Sequence, residues 1–451
     1  MSETAGTPRV RGFLGNRVTL WTAFVLAHLW LGMLGLYATG DSLGDVSVVY
    51  KGWTDQVVYA GFWPGIDTSW VYPVLAMVPM LAARALGPAL YTSTWLSLVM
   101  LLNAVAFAAI TGWFASRYRA AVAWWWIAFL VLLGPIALGR IDAVTVPVAM
   151  VGVLLLAARP TAAAVLLALA TWIKVWPAAL IAAILIASRR RGEVFAAVIG
   201  TTVAIVVIAV AFGSGTNVFS FITEQTGRGL QVEAPVTIPW LWLAVARVPG
   251  VSVYYDTDIL TFQVTGDNVD LVAALMTPVL AVVALAVAAV GVWAVRRGAR
   301  AAGLLAPLAL ALVTALIVFN KVGSPQFIAW LAVPVVLGLA ARTAGLGGSF
   351  RVPAVLALVL AALTQLVYPL FYSALLSAVP AMVLVITVRN LLLVVLLVWA
   401  VRAVVLEGLR AARATRDNEY GHDDDADRAH AWPSPPAHSS GPADTTPLSK
   451  D

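Results

Sequence analysis

The chain has 451 residues, of which 61% are hydrophobic and 11% are charged, and its 28 basic and 22 acidic side chains give a formal net charge of +6. Soluble domains carry about 25% charged residues, so this composition excludes an ordinary soluble protein and indicates an integral membrane protein. The positive charge lies at the ends of apolar segments, which favours membrane lipids as partners and argues against nucleic acid. Cysteine is missing, so the sequence offers neither a disulfide nor a thiolate metal site.

Apolar runs recur from Val18 to Leu406, and many of them reach the length of about 20 residues that spans a bilayer as a helix. They lack the alternation of membrane β-barrel strands. The sequence therefore predicts an all-α polytopic membrane protein with about 11–12 membrane segments. We place the membrane domain at residues 18–406, after a cytoplasmic N-terminus (1–17). Residues 407–451 form a polar, Pro- and Ser-rich segment that predicts a disordered cytoplasmic tail.

The first apolar run, from Val18 to Tyr37, follows several arginines and is longer than the apolar region of a secretory signal peptide. We interpret it as a retained anchor with a cytoplasmic N-terminus, because basic residues flank the cytoplasmic ends of membrane helices. The later predicted spans are Trp70–Leu86, Tyr91–Ala115, Ala121–Leu138, Ala143–Ala158, Phe195–Phe212, Leu271–Val295, Leu304–Phe319, Phe327–Ala341, Val352–Leu370 and Val379–Val404. The arginines between them predict that the loops 39–69 and 213–270 are extracytoplasmic and that the C-terminus is cytoplasmic.

The region before Arg191 contains a conflict in this topology. Counting every apolar run there gives an odd number of crossings, although both ends of the region carry cytoplasmic signals. One run must therefore be re-entrant or lie at the membrane surface. The run 161–188 is itself interrupted near Lys174, and its halves of about 14 residues are too short to cross as straight helices. Irregular backbone at membrane depth must be buried in protein or line a cavity.

Charged and amide side chains collect in the loops and helix breaks that this topology places on the extracytoplasmic side. Carboxylates can take a proton from a hydroxyl, while lysine and arginine can hold a phosphate. Individual loop charges also occur simply because loops are solvated, but their collection on one side favours a functional site. The candidates are Asp45, Asp55, Asp67, Arg140, Asp142, Lys174, Arg228, Gln231, Glu233, Lys321 and Gln326.

Aromatic residues are dense in the same loops, among them Trp63 and Tyr72. Tryptophan and tyrosine are enriched at membrane interfaces in general. Aromatic rings also offer a flat apolar face on which a sugar can stack. Their density beside the acidic residues favours a mixed role.

Six segments in fixed order resemble glycosyltransferase family 87. They are GDVSVVY (44–50), WPGIDTSWVYP (63–73), GRID (139–142), TWIKVWPA (171–178), QTGRGLQVE (225–233) and NKVGSPQFIAW (320–330). The family comprises membrane-embedded transferases of the GT-C class that use polyprenyl-phosphate sugars, and it includes the α-1,2 mannosyltransferase of phosphatidylinositol mannoside synthesis. The resemblance covers roughly residues 18 to 400, and the order of the segments carries it, because each alone is weak.

The resemblance implies a GT-C helical bundle whose essential aspartate follows the first membrane span, which is Asp45 in this sequence. It also implies roles for Lys174, for the segment Arg228–Glu233 and for Ser324–Gln326. The chain departs from the family pattern at residues 139–142 and 250–270. These departures leave the acceptor open.

The expected function is inverting transfer of a sugar, most simply mannose, from a polyprenyl-phosphate donor to a hydroxyl of a lipid-linked or glycan acceptor at the outer face of the plasma membrane. Asp45 is the expected base, and Lys174, Arg228 and Lys321 are expected to bind the donor phosphate. The remaining candidates are expected to bind substrate. Neither a metal nor a cofactor is expected, because the leaving group is already a phosphate.

Two alternatives remain open at this stage. One is an arabinofuranosyltransferase of the same class, since pocket shape decides between mannose and a pentose. The other is a transporter or flippase of lipid-linked saccharide, because broken helices and intramembrane polar residues also mark transport paths. The sequence shows no obvious inverted repeat, and its polar residues collect on one side rather than at mid-membrane. Both features favour an enzyme.

Overall fold

The computed structural model describes residues 12, 14–38, 40–113, 119–224 and 227–429, with side chains up to residue 414. Its first half contains α1 (Arg17–Tyr37), α2 (Lys51–Ala60), α3 (Met77–Ala82), α4 (Tyr91–Ile110), α5 (Ala120–Leu133), α6 (Asp142–Leu155), α7 (Pro160–Ile173), α8 (Ala178–Ala187) and α9 (Arg191–Ala211). Its second half contains α10 (Ser220–Thr223), α11 (Ile238–Val245), β1 (Ser252–Asp256), β2 (Thr261–Thr265), α12 (Val269–Arg296), α13 (Ala301–Val318), α14 (Ala332–Thr343), α15 (Arg351–Gln365), α16 (Tyr372–Leu376) and α17 (Pro380–Ala429).

The longest apolar helices have the length and composition of membrane helices. Among the described residues, 8 helices are long and apolar enough to cross a membrane. The helices α5 to α8 are also apolar but have only 10 to 14 residues each. A helix satisfies its own backbone hydrogen bonds, which is what an apolar solvent requires of a spanning segment. The prediction of an all-α polytopic membrane protein is confirmed.

One predicted span, Trp70–Leu86, is not a membrane helix in the structure. It forms a loop, a 3₁₀ turn at Val74–Ala76 and the six-residue helix α3. Pro73 and Pro79 remove backbone donors from this run. Trp70, Met77 and Met80 in this run are buried within the protein. The apolar composition therefore serves packing inside the protein and not contact with lipid. Apart from this run and the polar helix α2, six apolar helices precede Arg191 in the ranges that the structure describes, namely α1 and α4 to α8, and this even number agrees with the basic residues at both ends of that region.

The interruption predicted at Lys174 is present. The run 161–188 is two helices, α7 and α8, separated at residues 174–177. Lys174 ends α7 in an extended conformation, with φ −152° and ψ 132°. The backbone there is irregular; Trp172 and Trp176 on either side of Val175 are buried, whereas Val175 itself is 46% exposed, so the break is only partly enclosed by protein.

The loops between the helices gather at two ends of the bundle. At one, which we call the polar end, Asn217 donates to the carbonyl of Ile66 (2.8 Å) and Arg140 donates to the hydroxyl of Tyr368 (3.3 Å). Contacts of this kind bring together the connections 40–76, 134–141, 174–177, 212–268, 319–325 and 366–379. The polar end is therefore assembled from the whole length of the chain.

The opposite end, which we call the basic end, carries arginines at the ends of helices. They lie at positions 119, 189–191, 296, 297, 300, 342 and 351. Trp124 at the start of α5 donates to the carbonyl of Leu14 at this end (2.9 Å). The two ends thus differ in chemistry as the charge pattern predicts.

The core lies between helices that approach each other through small residues. Gly152 on α6 faces Leu167 of α7, and α13 is buried over most of its length. Close packing replaces the hydrophobic effect as the force that holds helices together in lipid. By contrast, α9 and α12 bury only a narrow stripe of their surface.

Two regions differ from the sequence-based expectation. The loop 213–270 contains the antiparallel hairpin β1–β2, the one sheet in the described part of the chain. The last helix also continues past Glu407, so residues 407–429 of the segment predicted to be disordered are helical. The run after Glu407 contains several alanines and arginines, which are good helix formers, and extending an existing helix costs less than starting one. Residues 430–451 of that prediction lie outside the described residues.

Candidate functional site

Asp45 lies in the polar end, directly beside a buried arginine. It begins a π-helical turn at Asp45–Tyr50 that follows α1 after a short loop. Its Oδ2 is 3.1 Å from Nε of Arg140, and the Asp45 side chain is 37% exposed whereas that of Arg140 is 12% exposed. The ion pair therefore orients the carboxylate while leaving it accessible from outside the bundle.

Arg140 is itself held in place by several groups. Its Nη1 donates to the carbonyl oxygens of Ser42 and Gly139, each at 3.1 Å, and its Nη2 donates to the hydroxyl of Tyr368 at 3.3 Å. Burial by itself lowers the pKa of Arg140. The Asp45 carboxylate and the neighbouring tyrosines raise this pKa by more, so the net shift is upward. Arg140 is thus a permanent, fixed positive charge behind Asp45.

The loop that carries Arg140 approaches the Asp45 loop more closely than a side chain would allow. A Cβ on Gly139 would overlap the carbonyl oxygen of Ser42. We expect Gly139→Ala to force the two loops apart and to lower the free energy of unfolding by about 1–3 kcal/mol, the usual cost of overpacking. The midpoint of thermal unfolding, followed by tryptophan fluorescence in detergent, measures this.

The matched control is Gly52→Ala in α2, where a Cβ meets no atom within 4 Å. That change is expected to leave the midpoint unchanged or raise it slightly, since alanine is the better helix former. Equal midpoints for the two variants would show that the loops are not held together by this contact.

Tyr72 connects the Asp45 region to the basic residues. The rings of Tyr50 and Tyr72 lie 6.3 Å apart in an edge contact, and the Tyr50 hydroxyl accepts from the backbone N–H of Ile141 (3.1 Å). Burial raises the pKa of Tyr50, and the nearby Tyr72 and Asp45 raise it further. On its other side, the Tyr72 ring lies 4.6 Å from Nζ of Lys174.

Lys174 also faces a buried carboxylate at the start of α6. Its Nζ is 3.8 Å from Oδ2 of Asp142, which is 1% exposed. The Trp330 indole donates to the other oxygen, Oδ1, at 2.6 Å, and stacks on Trp176 with ring centroids 5.5 Å apart. Lys174 therefore stands at a helix break between a carboxylate and an aromatic face, and its own side chain remains 19% exposed.

Arg228 and Lys321 bring two more positive charges to this place. Burial lowers the pKa of Arg228, and the nearby Tyr72 partly offsets this. Burial also lowers the pKa of Lys321, and the charge of Arg228 lowers it further. Two like charges held this close favour an anion between them. Lys174 lies against Tyr72, and the backbone of Lys321 is hydrogen-bonded to Gln231 in the segment that follows Arg228, so three cations from separate segments come together at the polar end.

The segment that follows Arg228 is fixed at both sides. Gln231 donates from its backbone to the carbonyl of Lys321 (3.1 Å), and Val232 donates to the carbonyl of Phe262 in β2 (3.0 Å). A Cβ on Gly323 would overlap the backbone of residues 233 and 234, so these two loops touch through backbone alone. This contact sets the position of Lys321 relative to Arg228.

Glu233 forms a buried ion pair with Arg389 of α17. Nη1 of Arg389 is 2.7 Å from Oε2 of Glu233, and Nη2 donates to the Glu233 carbonyl at 2.8 Å. The two side chains are 1% and 4% exposed. Removing one partner of such a pair is strongly destabilising because a buried charge is left behind. The arrangement clamps the end of the 228–233 segment onto the last membrane helix.

Several buried polar atoms in this region have no hydrogen-bond partner among the described residues. They are Asp142 Oδ2, Arg228 Nε, Gln231 Nε2 and Gln326 Oε1. Buried polar atoms are normally hydrogen-bonded, so each exception needs an explanation. These four atoms belong to candidate residues, while Trp70 Nε1, Ser214 Oγ and Thr261 Oγ1 in the same loops are also without a partner among the side chains and backbone that the structure describes and are not candidates. A polar ligand at the polar end would satisfy the four candidate atoms.

Three candidates lie apart from this group in the contacts that the structure gives. Asp55 pairs with Arg84, which also donates to Thr54 (3.2 Å). Asp67 accepts from the backbone N–H of Trp63 at 2.6 Å and so closes a turn within its own loop. The Trp63 side chain is 41% exposed.

Sequence reasoning missed Arg389, Trp330 and Tyr368. Arg389 interrupts an apolar stretch of α17, and an ionisable residue within a membrane helix is by default a functional candidate, so this signal was available. Trp330 ends the NKVGSPQFIAW segment but resembles any interfacial tryptophan. Nothing in the sequence distinguishes Tyr368 from other aromatic residues at helix ends.

The assembled site has one accessible carboxylate and three nearby cations, with amide and aromatic groups between them. Among the residues that the structure describes, no group of three or more His, Cys, Asp or Glu side chains is placed to hold a metal ion. A carboxylate beside converging cations can take a proton from one group and stabilise negative charge on another.

Comparison with known protein families gives one match. The model of glycosyltransferase family 87 matches residues 70–320, which is more than half of the chain. The matched region includes Tyr72, Arg140, Lys174 and Arg228, whereas Asp45 precedes it. Comparisons with curated proteins and with solved structures give no match.

Proposed function

The chain belongs to glycosyltransferase family 87 and is a membrane glycosyltransferase, and we propose that it transfers mannose from a polyprenyl-phosphate donor to a hydroxyl of a lipid-linked or glycan acceptor. The observation that carries this proposal is the gathering of three cations at the polar end with the accessible carboxylate of Asp45: Lys174 lies against Tyr72, and the backbone of Lys321 is hydrogen-bonded to the segment that follows Arg228. Cations bind a phosphate leaving group, and a carboxylate serves a hydroxyl acceptor.

The proposed reaction is a single displacement. The acceptor oxygen attacks the anomeric carbon of the donor sugar while the Asp45 carboxylate takes the hydroxyl proton. The bond between that carbon and the phosphate oxygen breaks, and the polyprenyl phosphate leaves with the bonding electrons. Attack from the side opposite the phosphate inverts the configuration, so a β-linked donor gives an α product.

The three cations are proposed to stabilise the phosphate as it leaves. Charge develops on the phosphate in the transition state, and fixed positive groups stabilise developing charge without having to reorganise. Asp142 and Trp330 hold Lys174 for this purpose, and the contact of Gln231 with the carbonyl of Lys321 holds Lys321 near Arg228.

Other candidate residues are proposed to contact the sugar or to support the site. Gln231 and Gln326 have buried amide atoms without partners, which suits them to sugar hydroxyls. Arg140 orients Asp45, and Glu233 anchors the Arg228 segment through Arg389. Asp55, Asp67 and Trp63 have partners of their own within the chain, and we assign them no contact with substrate.

We further propose that the polar end faces the outside of the plasma membrane. Cytoplasmic ends of membrane helices are rich in lysine and arginine, and arginines mark the basic end. With the basic end in the cytoplasm, the site meets a donor whose phosphate lies at the outer surface of the bilayer.

The test uses the full-length protein, purified in detergent, with short-chain polyprenyl-phosphate mannose and a membrane lipid extract as acceptor. Mass spectrometry is expected to find a product one hexose heavier than an acceptor. Polyprenyl-phosphate arabinose serves as the competing donor, and faster transfer from it would correct the sugar assignment. A protein that only translocates lipid-linked saccharide would form no glycosidic product in detergent.

A further inference from the structure

A cleft of about 380 Å³ lies at the polar end beside the β hairpin. Its lining includes a tyrosine, a carboxylate, an amide and exposed backbone, and the residues are Gly229, Tyr254, Gln263, Val264, Thr265, Gly266, Val269 and Asp270. This volume falls within the range of roughly 300–1,000 Å³ that is usual for small-ligand sites. The residues discussed above for transfer do not line it.

The cleft sits on the polar face of a small sheet. The segment 229–232 adds a third strand to the hairpin, because Gln231 pairs with Gln263, which in turn pairs with Tyr254. Residues that oppose each other across strands share a face of the sheet. The same alternation sends Leu230 and Val264 to the other face, into an apolar cluster. The sheet is thus apolar toward the bundle and polar toward the cleft.

The groups on the polar face suit a sugar. The Tyr254 side chain is 43% exposed, so its ring is free to stack on the C–H face of a pyranose. The Gln263 amide donates to Asp256 (2.6 Å), and its oxygen lies over Gly229, where a Cβ would overlap it. Burial raises the pKa of Tyr254, and the carboxylates of Asp256 and Asp270 raise it further. Carboxylate and amide groups can bind the hydroxyls around a sugar ring.

The position of the cleft relates it to the transfer site. Gly229, which lines the cleft, directly follows Arg228 in the chain. Leu230 accepts from Val264 of β2 at 3.1 Å, which fixes this segment against the hairpin. A ligand in the cleft would therefore lie one residue along the backbone from a proposed phosphate contact.

We propose that this cleft binds the saccharide part of the acceptor. This inference rests on the proposed transfer reaction, because a saccharide bound in the cleft would present the hydroxyl that receives the sugar. The same chemistry would also recognise the sugar of the donor. The effects of substitutions on acceptor and donor kinetics distinguish these two sources.

The test compares Tyr254→Ala and Asp270→Asn with matched controls from the same hairpin. Tyr255→Ala removes the neighbouring tyrosine, whose ring contacts Phe262 on the other face (centroids 4.9 Å apart). Asp258→Asn removes an exposed carboxylate at the turn. Octyl α-mannopyranoside serves as probe and as soluble acceptor, and short-chain polyprenyl-phosphate mannose serves as donor. Full-length protein in lipid nanodiscs is used throughout.

Saturation-transfer NMR is expected to show contact of the probe's ring protons with wild-type protein and with both controls, and markedly less with Tyr254→Ala. The KM for the octyl mannoside is expected to rise about tenfold in Tyr254→Ala, as loss of a stacking contact predicts, and to rise also in Asp270→Asn. Tyr254→Phe keeps the ring and is expected to retain most of the binding. The KM for the donor is expected to stay near that of wild type.

Unchanged probe binding and acceptor KM in both cleft variants would overturn the inference. A rise in donor KM with unchanged acceptor KM would overturn it as well, because the cleft would then hold the donor sugar. Failure of the proposed function looks different. Wild-type protein would then form no product from any donor, while binding of the probe would still depend on Tyr254.

Discussion

Asp45→Asn is expected to lower the rate of sugar transfer by about 10²–10⁴, the usual contribution of a positioned general base. Asparagine keeps the size of the side chain and can still accept a hydrogen bond from Arg140, but it cannot take a proton from the acceptor. Because Asp45 is partly exposed, losing its charge should cost little stability. The rate is measured by mass spectrometry of the product at saturating donor and acceptor, with the thermal midpoint measured in parallel.

The competing explanation is that Asp45 only holds Arg140 in place. Arg140→Gln separates the two roles, since it breaks the ion pair but leaves the carboxylate. A base at Asp45 predicts that Arg140→Gln retains more activity than Asp45→Asn, whereas a purely structural pair predicts equal losses. Asp67→Asn, in the same loop, is the control and should remain active. Activity of Asp45→Asn within about tenfold of wild type would exclude the base assignment.

The helical class and the positions of most helices follow from the sequence because they depend on local chemistry. Long apolar runs predict membrane helices, and clustered arginines predict cytoplasmic helix ends, without knowledge of any tertiary contact. The run Trp70–Leu86 is the instructive failure. Its composition matches a membrane helix, but Pro73 and Pro79 and the burial of Trp70 make it an internal segment. Hydropathy cannot distinguish burial in protein from burial in lipid.

The hairpin Ser252–Thr265 was also not predicted. Its strands have only five residues each, and the free edge of β2 pairs with the distant segment 229–232. A short hairpin alone is marginally stable in water. Its existence therefore depends on pairings between segments about 30 residues apart, which local patterns do not report.

The site was partly visible in the sequence, because charged residues stand out in an apolar chain. What the sequence could not give is which charges meet. Asp55 and Asp45 lie in the same loop and look equivalent, yet Asp55 pairs with Arg84 while Asp45 faces Arg140. The tertiary structure decides this, because it places Arg84, after α3, beside Asp55 and Arg140, between α5 and α6, beside Asp45. Arg389 is the reverse case. A charged residue within the apolar α17 stands out in the sequence, but only the structure shows that its partner is Glu233.

Substitution of the basic residues around Tyr72 is expected to affect the donor selectively. Lys174→Ala and Arg228→Ala should each lower kcat/KM for a short-chain polyprenyl-phosphate donor by about 10²-fold, the usual scale for truncating one partner of a buried charge pair. The KM for the acceptor should change much less. Arg228→Lys should restore only part of the activity, because the charge remains but the two-pronged contact with phosphate is lost.

The double variant provides the decisive measurement. If Lys174 and Arg228 had independent structural roles with no shared ligand, the effects of their substitutions would be additive. If both hold one phosphate, the loss in the double variant is smaller than the product of the single losses.

Asp142→Asn is the control for Lys174, since it removes the same ion pair but leaves the lysine. It should bind donor better than Lys174→Ala does. Lys51→Ala removes another positive charge from the first loop and should leave the donor kinetics unchanged. Equal effects of Asp142→Asn and Lys174→Ala, together with strict additivity, would mean that these residues support the fold and do not hold the phosphate.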